Sequence, residues 1–181
     1  MNSTAGGTLF FNRKYFWAII FLGIIISACG YRFAGEGNLP SNVKSIFIKI
    51  FENRTGETGV ESVFTNDFIY EFTRDRKVVL TSSDKADAIL TGVIKNMRIR
   101  TISRKGLHTP LERRVQVAVD LKLTDPDGSV IWSAKGVSEN EAYNVAPDNN
   151  KHVTEQNRRV AISALSKRLA EKVYNDLTAD F

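Results

Sequence analysis

Val115 to Trp132 reads VQVAVDLKLTDPDGSVIW. Val115, Val117, Val119, Leu121 and Leu123 alternate with Gln116, Ala118, Asp120, Lys122 and Thr124. A period of two places one set on a buried face and the other in water. Asp125-Pro126-Asp127-Gly128 then signals a tight turn, because proline presets φ and glycine accepts the left-handed position. Val130 to Val137 (VIWSAKGV) returns antiparallel, which predicts a hairpin. A hairpin apolar on one face only needs a cover, and the rest of the chain supplies one.

Toward the N-terminus, Ala88 to Ser103 reads as a long strand with Ile89, Val93, Met97 and Ile99 of one parity. Lys95 interrupts that parity and marks a candidate bulge. Ser82 to Ala86 is a turn, and Lys77 to Thr81 is a short strand. Before these, Val60, Phe64, Phe68 and Phe72 recur every four residues beside Val63 and Ile69. That spacing predicts an amphipathic helix of about four turns, opened by a Thr58/Glu61 capping box. Its aromatic stripe is read as core rather than as a ligand groove. Ser45 to Phe51 (SIFIKIF) is a strand apolar on both faces, as a central or doubly covered strand is.

Toward the C-terminus, Ser138 to Asn150 has no periodicity and reads as a loop, with Tyr143 in it. Tyr143 is read either as a contact for a partner or as a residue resting on the sheet edge. From about Thr154, Val160, Ala161, Ala164, Leu165, Leu169, Val173 and Leu177 mark a long helix, with a favourable Glu155/Arg159 i,i+4 pair. The order strand, helix, strands, helix predicts an α+β two-layer sandwich. The expected sheet is mixed and four- to five-stranded, with two helices packed on one face. No internal repeat and no second domain is visible.

The start of the chain has a different character. Arg13 and Lys14 precede Tyr15 to Ile26, an apolar run closed by Ile26-Ser27-Ala28-Cys29. A membrane-spanning helix needs about 20 apolar residues. The shorter run matches a signal h-region. ISAC resembles a bacterial lipobox, so residues 1–28 are expected to be a cleaved signal peptide and Cys29 the lipid-modified first residue. An uncleaved anchor is the alternative. Gly30, in place of an acidic residue, resembles an outer-membrane sorting signal. Residues 29–42, rich in Gly, Pro and Asn, are expected to form a tether, and 43–181 a single domain.

Without the signal segment, 153 residues remain, enough for one sizeable core, with 23 Lys and Arg against 20 Asp and Glu. That mild positive balance does not argue for nucleic acid. The single cysteine is the one expected to be acylated, so no intrachain disulfide is available. His108 and His152 are far apart, and no GxSxG, Walker-type or GxGxxG pattern occurs. The chain is therefore read as a non-enzyme with no metal and no cofactor.

Several stretches resemble the LPS-assembly lipoprotein family (LptE). They are CGYRFAGEGNLP at the lipidated start, SIFIKIFENRTGETGVES entering the first helix, ADAILTGVI, and RRVQVAVDLKLTDPDG followed by VIW, before an Ala/Leu-rich last helix. The resemblance implies an outer-membrane lipoprotein that assembles with an outer-membrane β-barrel translocon (LptD-like) and plugs it. It further implies help in delivering lipopolysaccharide to the outer leaflet.

Lys95 to Arg114 holds seven Lys and Arg and one acid, Glu112. Arg98 and Arg100 share a parity, whereas Arg104, Lys105, Arg113 and Arg114 flank a turn near Gly106 and Pro110. Such a cluster can take phosphates, those of lipopolysaccharide first, through charge-assisted hydrogen bonds. An acidic partner wall or a solvated, charge-guarded strand edge would give the same pattern, and the readings stay open. Two other functions compete: a lipoprotein that regulates a peptidoglycan synthase, and an enzyme acting on envelope glycans. The second would need a paired-carboxylate cleft.

Overall fold

The structure, a computed structural model, describes residues 43–74, 78–106, 109–147 and 150–179. All of them belong to one compact unit, Glu36–Phe181. The signal segment, Cys29 and the tether lie outside the described residues.

The elements in chain order are β1 (Ser45–Ile48), β2 (Glu52–Asn53), α1 (Val60–Arg74), β3 (Val79–Leu80), β4 (Ala88–Lys105), β5 (Thr109–Thr124), β6 (Val130–Asn144) and α2 (Lys151–Ala179). The sheet has six strands in the order β3-β1-β4-β5-β6, and β2 pairs with β4 beyond the end of β1. β1 lies parallel to both β3 and β4, whereas β4-β5-β6 is an antiparallel meander. The architecture is the expected α+β class. The sheet is larger than four to five strands because SIFIKIF-EN supplies two strands. The chain leaves the ladder after Ile48 so that Phe51 can turn inward, and it rejoins β4 at Glu52.

Phe51 shows what that break achieves. Its ring is buried against Phe68, with centroids 4.8 Å apart, and its N–H donates to Thr65 Oγ1 at 3.0 Å. Asn53, two residues on, ties the following loop. Its carbonyl oxygen accepts from Thr55 N and Oγ1 (2.9 and 2.7 Å), while Nδ2 donates to Glu57 O (2.7 Å) and Glu61 Oε2 (2.9 Å). Glu61 also accepts from Gly59 N at 3.2 Å. The first helix therefore starts from Gly59, at φ 89°, and Thr58 Oγ makes no hydrogen bond among the described residues. Half of the expected capping box is realised, one residue later than read.

Val60, Phe64, Phe68 and Phe72 are all buried, as their spacing predicts. They share one core with Leu165, Leu169, Val173 and Leu177 of α2 and with Val115 to Leu123 of β5. Both helices cover the same sheet face. On β4 the buried side is first Ala88, Leu90, Gly92 and Ile94. The register then slips at Lys95, after which Met97 and Ile99 face Val117 and Val115. The expected bulge is present, and it corrects the parity reading: Ile89 and Val93 fall on the opposite face from Met97 and Ile99.

The segment read as a loop, residues 138–150, is strand as far as Asn144. Its core-side positions are Glu139, Glu141 and Tyr143, opposite Val117, Val115 and Arg113. Glu139 faces Lys172 Nζ at 3.9 Å, and Glu141 pairs with Arg168, both cations on α2. Charges matched by the helix replace the apolar alternation that would have announced a strand. Tyr143 is buried in the core.

Candidate functional site

The long β4-β5 hairpin carries the basic cluster. Its register sorts the six expected residues by face. Arg98 stands opposite Gln116, which stands opposite Asn140; Arg100 stands opposite Arg114, which stands opposite Ala142. These rows alternate with Val115 and Val117, whose side chains are fully buried under the helices. Arg98, Arg100 and Arg114 therefore share the helix-free face. The next row on that face is Asn96, Ala118 and Ser138, so three successive rows hold three arginines, amides and small residues, and no acid.

Arg113 is not part of this group. It pairs with Thr101 and Tyr143 on the helix side and lines a hollow of about 440 Å³ with Pro110 and Lys151. Arg158 stands in that hollow, paired with Glu155 at 2.9 Å and with Glu57. Arg104 and Lys105 sit at the hairpin's end, opposite Pro110 and Thr109, before Gly106 at φ 67°. Among the described residues, Arg98, Arg100, Lys105, Arg113 and Arg114 form no ion pair. The expected cluster is thus one triad on the open face, a pair at the tip and one arginine across the sheet.

Arg100 directly opposite Arg114 is the informative pair. Like charges facing each other across strands destabilise a sheet. Neither forms an ion pair among the described residues, and Glu112 stands one row away on the same face, so an external anion between the two guanidinium groups would bring attraction on both sides. Guanidinium forks suit phosphate and carboxylate oxygens in particular. Gln116 and Asn140 add neutral donors beside them. Gln116 was legible as an outward residue of the clearest strand, whereas Asn140 was hidden in the segment read as a loop.

Farther along the same face, Asp120 joins two irregular strands. It meets Lys95 of the β4 bulge at 3.5 Å and accepts at 2.8 Å from the N–H of Gly136, which sits at φ 65° in a bulge of β6. The Gly136 N–H, followed by the Lys95 ammonium, holds the Asp120 carboxyl below its ordinary range. Among the described residues, no group of three or more His, Cys, Asp or Glu is placed to hold a metal, and no helix is long and apolar enough to cross a membrane.

No curated protein matches the sequence. Solved structures match the fold at low identity. A minor lipoprotein from Acinetobacter baumannii is 14% identical with TM-score 0.52, over 78% of this chain and 95% of that one. Lipoprotein B from Nitrosomonas europaea is 13% identical with TM-score 0.53, over 83% and 92%. The rare lipoprotein B from Shewanella oneidensis is 10% identical with TM-score 0.50, over 74% and 95%. At these identities the likeness speaks for the fold alone. The family model described as LptE, lipopolysaccharide-assembly, matches residues 43–177, which include every strand and nearly all of both helices. The chain belongs to the LptE lipopolysaccharide-assembly family.

Proposed function

We propose that this protein is an outer-membrane lipoprotein, anchored through Cys29, that assembles with and plugs the barrel of the lipopolysaccharide translocon. On this reading it helps deliver lipopolysaccharide to the outer leaflet, with Arg98, Arg100 and Arg114 taking its phosphates and Arg104, Lys105 and Arg113 adding to the field around them. The observation that carries the reading beyond family membership is the pair of opposed arginines on the open sheet face, in three successive rows that hold no acid. A polar sheet face suits the wet interior of a barrel. A lipid anchor keeps the domain at the membrane, where its effective concentration for a membrane partner is high. Residues 29–42 extend at most about 50 Å, which favours a partner close to the anchoring membrane.

Two measurements test the proposal. Tagged protein recovered from gently solubilised outer membranes should bring down a large barrel in stoichiometric amount. Recovery of a peptidoglycan synthase instead would replace the reading with the regulatory one. Charge reversal at Arg98 and Arg100 should weaken lipopolysaccharide binding without lowering the unfolding midpoint, since it also relieves the pair with Arg114, and binding that persists at low salt would remove the phosphate role. Arg114→Gln separates the two sides of the argument. It relieves the opposed pair and stabilises the fold by a few tenths of a kcal/mol, yet lowers lipopolysaccharide affinity.

A further inference from the structure

A second concavity lies on the helix-free face, near the β5-β6 turn and away from the arginine triad. It encloses about 570 Å³, within the range of about 300–1,000 Å³ usual for small-molecule sites. Ile50, in the break between β1 and β2, and Val130, at the start of β6, line it with Val93 of β4. Ile50 is 60% exposed and Val130 57%, so aliphatic surface faces water across the hollow.

Three cations and two acids line it. Lys49, Lys122 and Lys135 line the same hollow, are exposed, and form no ion pair among the described residues. The two acids present are engaged elsewhere. Glu52 is bridged by Arg54 at 2.7 Å, and Asp120 is held by Lys95 and by the Gly136 N–H. The two bulges that Asp120 ties together border the hollow, and bulges bend and twist a sheet locally. The hollow is thus an aliphatic lining with three ammonium groups around it, of which Lys135 also acts on Asp120 while Lys49 and Lys122 form no ion pair among the described residues.

We propose that this concavity binds an anionic amphiphile, with an aliphatic chain against Ile50, Val93 and Val130 and a carboxylate or phosphate head among Lys49, Lys122 and Lys135. Burial of a chain against exposed aliphatic surface is favourable. Ammonium groups on flexible stems suit a head group held as a point charge rather than by a fixed fork. The inference stands apart from the barrel-plug reading, since neither the arginine triad nor a barrel enters it.

The test uses the full lipoprotein in phosphatidylcholine nanodiscs and a dodecanoate analogue bearing a mid-chain diazirine. After irradiation, labelled positions are mapped by mass spectrometry. Label should fall on the segments holding Ile50, Val93 and Val130, and dodecyl phosphate should displace it where dodecanol does not. The Lys49→Glu/Lys122→Glu/Lys135→Glu variant should lose about tenfold in labelling, the sum of three exposed ion pairs. Charge reversal at Arg98 and Arg100 should leave labelling intact. All three lysines are exposed, so the triple variant is expected to fold, and its circular dichroism and unfolding midpoint check that. Competition by lipopolysaccharide would assign the chain to that source; competition by phosphatidylglycerol alone would assign it to a phospholipid. Label absent from these segments, equal displacement by dodecanol, or full labelling of a folded triple variant would overturn the proposal. Each of those results would mean that the lysine stems merely cover the aliphatic patch.

Discussion

A Cβ on Gly92 would stand 2.4 Å from the ring of Phe51, closer than real side chains approach. The ring has little room to retreat, since it is buried against Phe68. Gly92→Ala should therefore destabilise the fold by about 1–3 kcal/mol through overpacking, read as a lower midpoint in urea. Asp67 of α1 presents a different residue-scale conflict. It is half-buried against α2, next to Ser166 and Lys167, and one carboxylate oxygen has no hydrogen-bond partner. Burial raises its pKa above the ordinary 3.8, opposed by the Ser166 hydroxyl and the Lys167 charge. A raised folded pKa means the contribution is full below the unfolded pKa and is lost as pH rises through the folded value. Asp67→Asn should consequently stabilise the protein near neutral pH and do little in acid. Asp87 has the opposite sign. The Ser45 hydroxyl and the Lys44 and Ser45 N–H groups lower its pKa, so its support is present above the unfolded pKa and fades as acid reaches the folded one.

The elements show which parts of the molecule can be read from its residues. The turn end of the β5-β6 hairpin was legible: the valine and leucine alternation is buried, and the turn closes with Gly128 N donating to Asp125 O at 3.1 Å and Ser129 N to Asp125 Oδ1 at 2.8 Å. The first helix was legible for the same reason, a strict apolar spacing. The far half of β6 was not, because Glu139 and Glu141 occupy core-side positions and are satisfied by a helix distant in sequence. Arg113 and Arg114 were read as flanking a turn, and they fall on opposite faces because β5 begins as early as Thr109. Lys95 was recognisable as a break, but its effect on the parity of Ile89 and Val93 emerges only from pairing. The β2-α1 junction makes a testable case, since Asn53 alone supplies four hydrogen bonds there. Asn53→Ala should cost about 2 kcal/mol of unfolding free energy and raise hydrogen exchange first at the start of α1.

At the scale of the whole molecule, the core among the described residues draws on Val43 to Leu177. On the proposed reading, the anchor at Cys29 stands outside that core and stability is independent of it. Cys29→Ala should abolish incorporation of labelled palmitate while leaving the unfolding midpoint of the folded domain where it was. A large drop in that midpoint would mean that the anchor region contributes to the core. β4, from Ala88 to Lys105, is 18 residues long, or about 60 Å at the usual rise per residue. That is about twice the thickness of a bilayer's hydrocarbon core, a length suited to a strand that crosses a barrel's lumen. The arginine triad and the lysine-rimmed hollow lie at different levels along this strand. A ligand moving along the helix-free face would meet them in succession.

β6 is an outermost strand, and part of its free side is closed by side chains of α2: Arg168 donates to Asn140 O at 2.7 Å and Asn157 Nδ2 to Asn144 O at 2.9 Å. These donors arise late in the chain. During synthesis, β5 and β6 exist before Asn157 and Arg168 have emerged, and for that interval the strand offers bare carbonyls to any neighbouring chain. The order of emergence thus builds in a vulnerable period, ended only when the last helix docks. Arg168→Ala would lengthen it, leaving a protein that aggregates during production more than its final stability would indicate.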